Sequence, residues 1–332
     1  MKLLISCVAI GAFGIAGSHA AMAQSAPAFP SGIWTIQDEN ASISTAQPTD
    51  RNYVNGFNLN WTSNPGAVPS FAANLGHAIW GDGTQRVNLG IVQQVYTPTD
   101  TAAIDPPLND EPYAGYLVAR FGLIQDTATT RSVISLDAGV VGRDAGAELV
   151  QNDFHSIIGQ QGTHGWAFQL PSEPAFNALI SRTWRFPLAR FGGLETDALP
   201  QIAGAVGTTQ IYLQPAVTFR IGQGLNSDFG APLIAWGPSG SDAYQQTRSF
   251  VWYVFGGASS QFVGYNEFLQ GTDFETSRSV DPYRVVGEAD LGAAIIWRGL
   301  RFSYTQVFQT RSYYGEVGNL HEYGSFSVAG TF

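Results

Sequence analysis

The last eleven residues, Glu322 to Phe332, read EYGSFSVAGTF. In an extended chain Phe326, Val328 and Phe332 fall on one face and Ser325, Ser327 and Thr331 on the other, because successive side chains alternate. An apolar face for lipid, a polar face for a lumen and a terminal aromatic together describe the closing strand of a bacterial outer-membrane barrel. Beyond the first two dozen residues no apolar run of about 18 exists, so a membrane crossing here is expected to use strands.

The same alternation recurs upstream. Asn52 to Trp61 sets Tyr53, Phe57, Leu59 and Trp61 against Asn52, Asn58 and Asn60, with Val54 on the polar side. Gln210 to Arg220 sets Ile211, Leu213, Val217 and Phe219 against Gln210, Tyr212, Gln214, Thr218 and Arg220. Tyr283 to Trp297 and Leu300 to Phe308 repeat it. Further strands are expected at Ile33 to Glu39, Arg86 to Thr97, Tyr113 to Gln125, Arg131 to Gly142, Ala175 to Pro187, Leu199 to Gly207 and Ser249 to Leu269. These make an antiparallel all-β transmembrane barrel of about twelve strands, with Trp61, Tyr96, Trp297 and Tyr304 suited to the membrane interface. A soluble two-sheet sandwich alternates in the same way and is the competing fold. Ser63 to Gly83, a Pro-containing insert, and Gly222 to Thr247, rich in Gly and Ser, fit no strand.

Residues 1 to 23 carry Lys2, an apolar run from Leu3 to Ile15 and the small-residue pattern Ala21-Met22-Ala23. They read as a secretory signal peptide, leaving 24 to 332 as the barrel domain in the outer membrane. Cys7, the sole cysteine, goes with the signal, which excludes disulfides and thiol chemistry from the exported protein. The chain has 16 Lys plus Arg against 26 Asp plus Glu, and Lys2 is its only lysine. Nucleic acid requires basic stripes and is not an expected partner. Arginines remain suited to lipid phosphates through paired hydrogen bonds.

One stretch reads as neither signal nor sheet: Gly142 to Gln169, GRDAGAELVQNDFHSIIGQQGTHGWAFQ. Asp144 is placed to cap a helix, Ala145 to Ile158 carry the helical pattern, and Gly159 or Gly162 ends it. Glu148, Gln151, Asn152 and His155 share one face of that helix, while Leu149, Phe154 and Ile158 lie elsewhere. An imidazole whose tautomer is fixed by a neighbour is a general base near neutral pH; a solvated polar face is the plain alternative. Other polar clusters lie at Gln37 to Asn40, Thr49 to Gly56, and Val95 to Asp100 together with Asn109 to Tyr116. If the amino terminus is periplasmic, strand count brings the first loop, the third loop and the helix to the outer mouth of the barrel, a common place for binding sites. His77, His164 and His321 read as surface or loop histidines, and Asp100 and Asp110 as loop caps. No GxSxG elbow is present.

Asn40 at the end of the first strand, then TDRxYxNG, YTPxD, PYAG, VVGxDAG, VQNxxH, IIG and GWxxQ follow in one order between Asn40 and Asn177. That order resembles the outer-membrane lipid A 3′-O-deacylase family; the remainder matches only as barrel. The resemblance implies a twelve-stranded barrel that hydrolyses the ester of the 3′-linked acyloxyacyl group of lipid A, near the outer leaflet, with a divalent cation, typically calcium. It implies His155 as base and places Asn40 and Gln151 in the catalytic set, with Arg51 and Asn152 on substrate and the metal ligands open. Lipopolysaccharide is then the partner, and a monomer the expected state. Four positions depart from the family pattern. Ala41 stands for an Asp, Val54 for a Thr, Glu111 for an Arg and Ala167 for an Asp. Asp38 is the nearby acid on the same strand face as Asn40. Two other readings follow: a catalytically impaired member acting as a lipid-binding or structural barrel, and a small porin.

Overall fold

The computed structural model describes residues 32–44, 51–159, 161–235 and 243–331. The expected signal peptide with Cys7, Asp50 and the terminal Phe332 lie outside them. The strands are β1 (Gly32–Asn40), β2 (Asn52–Ser63), β3 (Thr84–Thr97), β4 (Ala114–Asp126), β5 (Thr130–Val141), β6 (Glu173–Trp184), β7 (Phe186–Phe191), β8 (Leu194–Gly207), β9 (Gln210–Gln223), β10 (Phe250–Asn266), β11 (Val285–Trp297), β12 (Leu300–Thr310) and β13 (Leu320–Thr331). Each pairs antiparallel with its sequence neighbours except β6 with β7, and β1 pairs with β13, Ile33 lying opposite Thr331. A break at Arg185 separates β6 from β7, and both pair with β8, so they form one bent stave and the closed barrel has twelve. Closure pairs both edges of every stave across the body of the barrel, the condition for spanning hydrocarbon, and only the short β7 keeps one edge unpaired.

Alternation sorts the wall as the sequence implies. Ile36, Leu89, Ile91, Phe121, Leu136, Leu213, Phe219 and Leu291 are exposed on the outside, whereas Asn58, Asn60, Asn88, Arg120, Asp137 and Arg220 are buried in the lumen. The lumen arginine of β4 is paired: Arg120 reaches Asp137 through Nε and Nη2, both at 2.6 Å. Two expectations are corrected. Tyr96 is not an interface aromatic but a buried lumen residue stacked on Phe268 at 4.3 Å. Tyr53 is not on the face of Phe57 and Leu59: the β2–β3 register shifts between Tyr53 and Asn55, so the extra residue Val54 inverts the alternation. Tyr53 therefore turns inward, donating its hydroxyl to Glu39 Oε2 at 2.8 Å, and Val54 turns outward.

The Gly/Ser-rich stretch after β9 folds back inside. Gln37 Nε2 donates to the Pro232 carbonyl at 2.9 Å, and the amides of Ile234 and Ala235 donate to Glu39 at 2.7 and 3.1 Å. Lower down, Asp228 bridges Arg220 (2.6 Å) and Arg301 (3.3 Å) and accepts from Tyr253 (2.8 Å). The described residues 224–235 of this stretch lie within the lumen. The insert after β2 forms a helix, α1 (Ser70–Trp80), and the stretch after β5 a second, α2 (Ala147–Ile158); a short α3 (Glu267–Gln270) follows β10. By strand direction α2 and α3 are at the rim far from the termini, the distal rim, and α1 is at the proximal rim.

Candidate active site on the outer wall

The α2 helix starts and ends on left-handed glycines, Gly146 (φ 69°) and Gly159 (φ 72°), so the expected Asp144 cap gives way to a glycine turn. Its packing reverses the usual amphipathic order. Ala147, Gln151 and His155 are buried, while Leu149, Val150, Phe154 and Ile157 are exposed, Ile157 by 77%. The polar stripe therefore faces protein, and the solvated-face alternative fails for Gln151 and His155; Glu148 is exposed and Asn152 half-buried.

What the helix packs on is the outside of the barrel. Val54, Val95 and Tyr113 form one buried cluster with Ala147 and Trp166, and Gln93 Nε2 donates to the Ala145 carbonyl at 2.8 Å. The PYAG glycine permits this approach: a Cβ at Gly115 would stand 2.8 Å from that of Ala147 and 2.9 Å from that of Ala145. Val54, the departure expected to remove a hydrogen-bonding group, is thus part of the helix's apolar seat.

Within the insert His155 Nδ1 lies 2.8 Å from the Gln161 carbonyl. A carbonyl only accepts, so Nδ1 carries the proton and Nε2 is the basic nitrogen. The return loop that supplies this carbonyl is held by the neighbouring amides. Asn152 Oδ1 accepts from the Thr163 amide at 2.8 Å and its hydroxyl at 2.9 Å, Gln151 Oε1 is 3.4 Å from that hydroxyl, and Trp166 Nε1 donates to it at 2.7 Å. Gln151 and Asn152 thus fasten the loop whose Gln161 carbonyl meets His155.

Asn40 lies on the same outer face. Outward positions of β1 are Ile36, Asp38 and Asn40, and Asn55 of β2 donates to Asp38 Oδ1 at 3.1 Å. Asn40 Oδ1 accepts from the Ser42 amide at 2.7 Å and caps the turn Ala41–Ile43. From β1 to the helix seat on β3 is two strand spacings, about 10 Å, so Asn40 and α2 belong to the same strip of outer wall. Glu39 points into the lumen, and so does fully buried Ala41, which packs with Tyr53, Tyr96 and Tyr323.

The other sites separate from this strip. Arg51 is on the lumen side of the distal rim, against Gly318 and near Glu316. There Glu111 is buried, and its carboxyl is pushed well above the usual range, first by burial and then by Glu316 and Asp110. Asp110 caps its loop, accepting from the Thr99 amide at 2.8 Å, and Asp100 accepts from Ala102 at 3.1 Å. Ala167 is exposed. His321, expected at the surface, is fully buried and meets the Tyr53 carbonyl at 3.1 Å. The polar clusters do gather at one rim, but the barrel wall divides them between outside and lumen. Asp38 was legible only as a same-face neighbour of Asn40, because alternation tells faces apart but not which face a loop helix will cover.

A family model described as outer membrane protein LpxR matches residues 3–332. Among solved structures, LpxR from Salmonella typhimurium is 21% identical, with a TM-score of 0.75 over 90% of this chain and 100% of that one. The β domain of the Bordetella autotransporter BrkA (10% identity, TM-score 0.45, 91% and 100% covered) and the transport unit of AIDA-I from Escherichia coli (11%, 0.44, 94% and 94%) are similar only as barrels. No curated protein sequence matches. With the family model spanning nearly the whole chain and the barrel closing as that family's does, this protein belongs to the LpxR outer membrane protein family, the lipid A 3′-O-deacylase barrels that its motif order resembles.

Proposed function

We propose that this barrel hydrolyses the ester of the 3′-linked acyloxyacyl group of lipid A on the strip of outer wall between β1 and α2. The observation that carries this reading is the reversed helix: a buried imidazole with a fixed tautomer, bordered by Val150, Phe154 and Ile157 exposed toward lipid. A soluble substrate would not need its base on the outside of a membrane barrel. His155 Nε2 takes a proton from water as the oxygen attacks the ester carbonyl, then returns it to the sugar 3′ oxygen as the C–O bond breaks. The products are the free acyloxyacyl acid and a 3′-hydroxyl, so the consumed water balances the reaction. Gln151 and Asn152 hold the loop that fixes His155, and exposed apolar side chains of α2 receive the acyl chain.

Asp38 and Asn40 are the residues that would hold a divalent cation. Calcium prefers about six to eight oxygen ligands. The described residues contain no group of three His, Cys, Asp or Glu placed for a metal, and Asn40 Oδ1 already accepts from Ser42. The donors fit a weakly held ion, with Asp38 supplying the carboxylate that Ala41 lacks. When bound, such an ion stabilises negative charge on the ester carbonyl oxygen.

A second reading, a catalytically impaired member that binds lipid, is favoured by Val54 and Ala41, both buried in apolar clusters and neither offering a polar group to the strip. The porin reading is opposed by the lumen segment hydrogen-bonded to Gln37 and Glu39. Mass spectrometry of lipid A from outer membranes containing the protein tests the proposal. Loss of the 3′ acyloxyacyl mass, abolished by His155→Ala and reduced in Asp38→Asn, is expected. Unchanged lipid A with folded, inserted wild type selects the impaired reading.

A further inference from the structure

We propose that α1 is an interfacial helix that seats Phe71, Leu75 and Ile79 among the acyl chains of the membrane leaflet at the proximal rim. Its sequence, SFAANLGHAIW, has no Lys, Arg, Asp or Glu, so headgroup charge does not hold it. At 100° per residue it divides into three faces. Ala72, Ala73, Gly76 and Trp80 are its more buried positions; Ser70, Asn74 and His77 form a polar face; Phe71, Leu75 and Ile79, spaced by four, form the third. Those three are 77%, 52% and 50% exposed, although they are the largest aliphatic and aromatic groups of the helix after Trp80.

The small-residue face is fastened to the outside of the wall. Gln85 Nε2 donates to the Ala73 carbonyl at 3.2 Å and to Gln125 Oε1 at 2.7 Å, and Gln125 Nε2 donates to the Gly81 carbonyl at 3.1 Å. A Cβ at Gly76 would stand 2.6 Å from Gln85 Nε2 and 3.3 Å from Leu123. Gln85 and Gln125 alternate in phase with the lipid-facing Leu89, Ile91 and Phe121 of the same strands. Two amides at the edge of the belt are thereby covered by a helix, and the exposed ridge of that helix continues the apolar surface of β3 and β4. An apolar ridge beside a polar face, parallel to a membrane boundary, is the arrangement of a helix lying in the interface. A chain returning to water would leave the ridge solvated. If the outer-wall strip acts on lipid A, this leaflet is the phospholipid one; that assignment alone rests on the proposed function.

Spin labelling tests the proposal on the full barrel in phosphatidylcholine vesicles. With Cys7→Ser as background, nitroxides are placed at Phe71→Cys, Leu75→Cys and, as controls, Asn74→Cys and Leu89→Cys. These side chains are exposed or outward-facing, so folding is preserved. The ratio of oxygen to nickel-chelate collisions is expected to be several-fold higher at 71 and 75 than at 74, and to approach that at 89. Nickel access at 71 and 75 equal to that at 74 overturns the proposal, as does protection from both reagents, which would mean a second copy or another protein covers the ridge. Deacylase activity is not a readout here, so failure of the catalytic reading leaves this result standing.

Discussion

At the scale of single residues, burial decides what the family substitutions do. Val54 sits in an apolar cluster with Val95, Tyr113, Ala147 and Trp166. Val54→Thr restores the family's hydroxyl but buries it there, at a cost of roughly 1–3 kcal/mol if it finds no partner; a lower urea midpoint with no gain in deacylation is expected. A rise in activity would show that the hydroxyl reaches substrate. Glu267 at the distal rim is a second case. Both its carboxylate oxygens are buried without a hydrogen bond, and burial, then Glu173 and Asp273, raise its pKa to about 8. The folded state therefore holds this proton more tightly than the unfolded chain, and stability falls as pH rises from the unfolded value toward 8. Glu267→Gln is expected to flatten that fall in urea unfolding measured across the window while leaving acid stability unchanged. An identical pH slope in the variant would remove Glu267 as the cause.

Among elements, α2 depends on close approach to the wall. Gly115→Ala places a methyl under 3 Å from Ala145 and Ala147, whose own positions are set by backbone. Overpacking of this kind costs about 1–3 kcal/mol, and here it acts on the helix's seat. Activity is expected to fall more than barrel stability, with proteolysis increased between Gly142 and Gln169. Equal loss of both would mean that the helix and barrel unfold as one unit. The helix itself was readable from spacing and glycines; its orientation was not, because a helix with polar residues on one side reads as solvated until something is known to cover that side.

For the whole molecule, the lumen segment puts protein where a channel of twelve staves would need open space. Asp228 and its partners Arg220 and Arg301 have fully buried side chains. Asp228→Ala leaves two guanidinium groups without this acid, and breaking such a buried pair costs roughly 3–5 kcal/mol. Wild-type protein in planar bilayers is expected to be silent, and Asp228→Ala to show flickering conductance as the segment loosens. A wild type that conducts steadily would revive the porin reading.

The alternation of apolar and polar residues settled the antiparallel barrel and most strand limits from sequence, since lipid outside and a polar lumen inside impose a period of two on every stave. The extra residue at Val54 escaped that reading, because one inserted residue changes which face a side chain occupies without changing composition. It sent Tyr53 into the lumen and set Val54 beneath α2. The return of 224–235 into the lumen rests on contacts between residues some two hundred apart, such as Glu39 with Ile234. Local pattern carries no record of such pairs. The sequence determined what each stave offers to its two sides, and closure in three dimensions decided which groups meet.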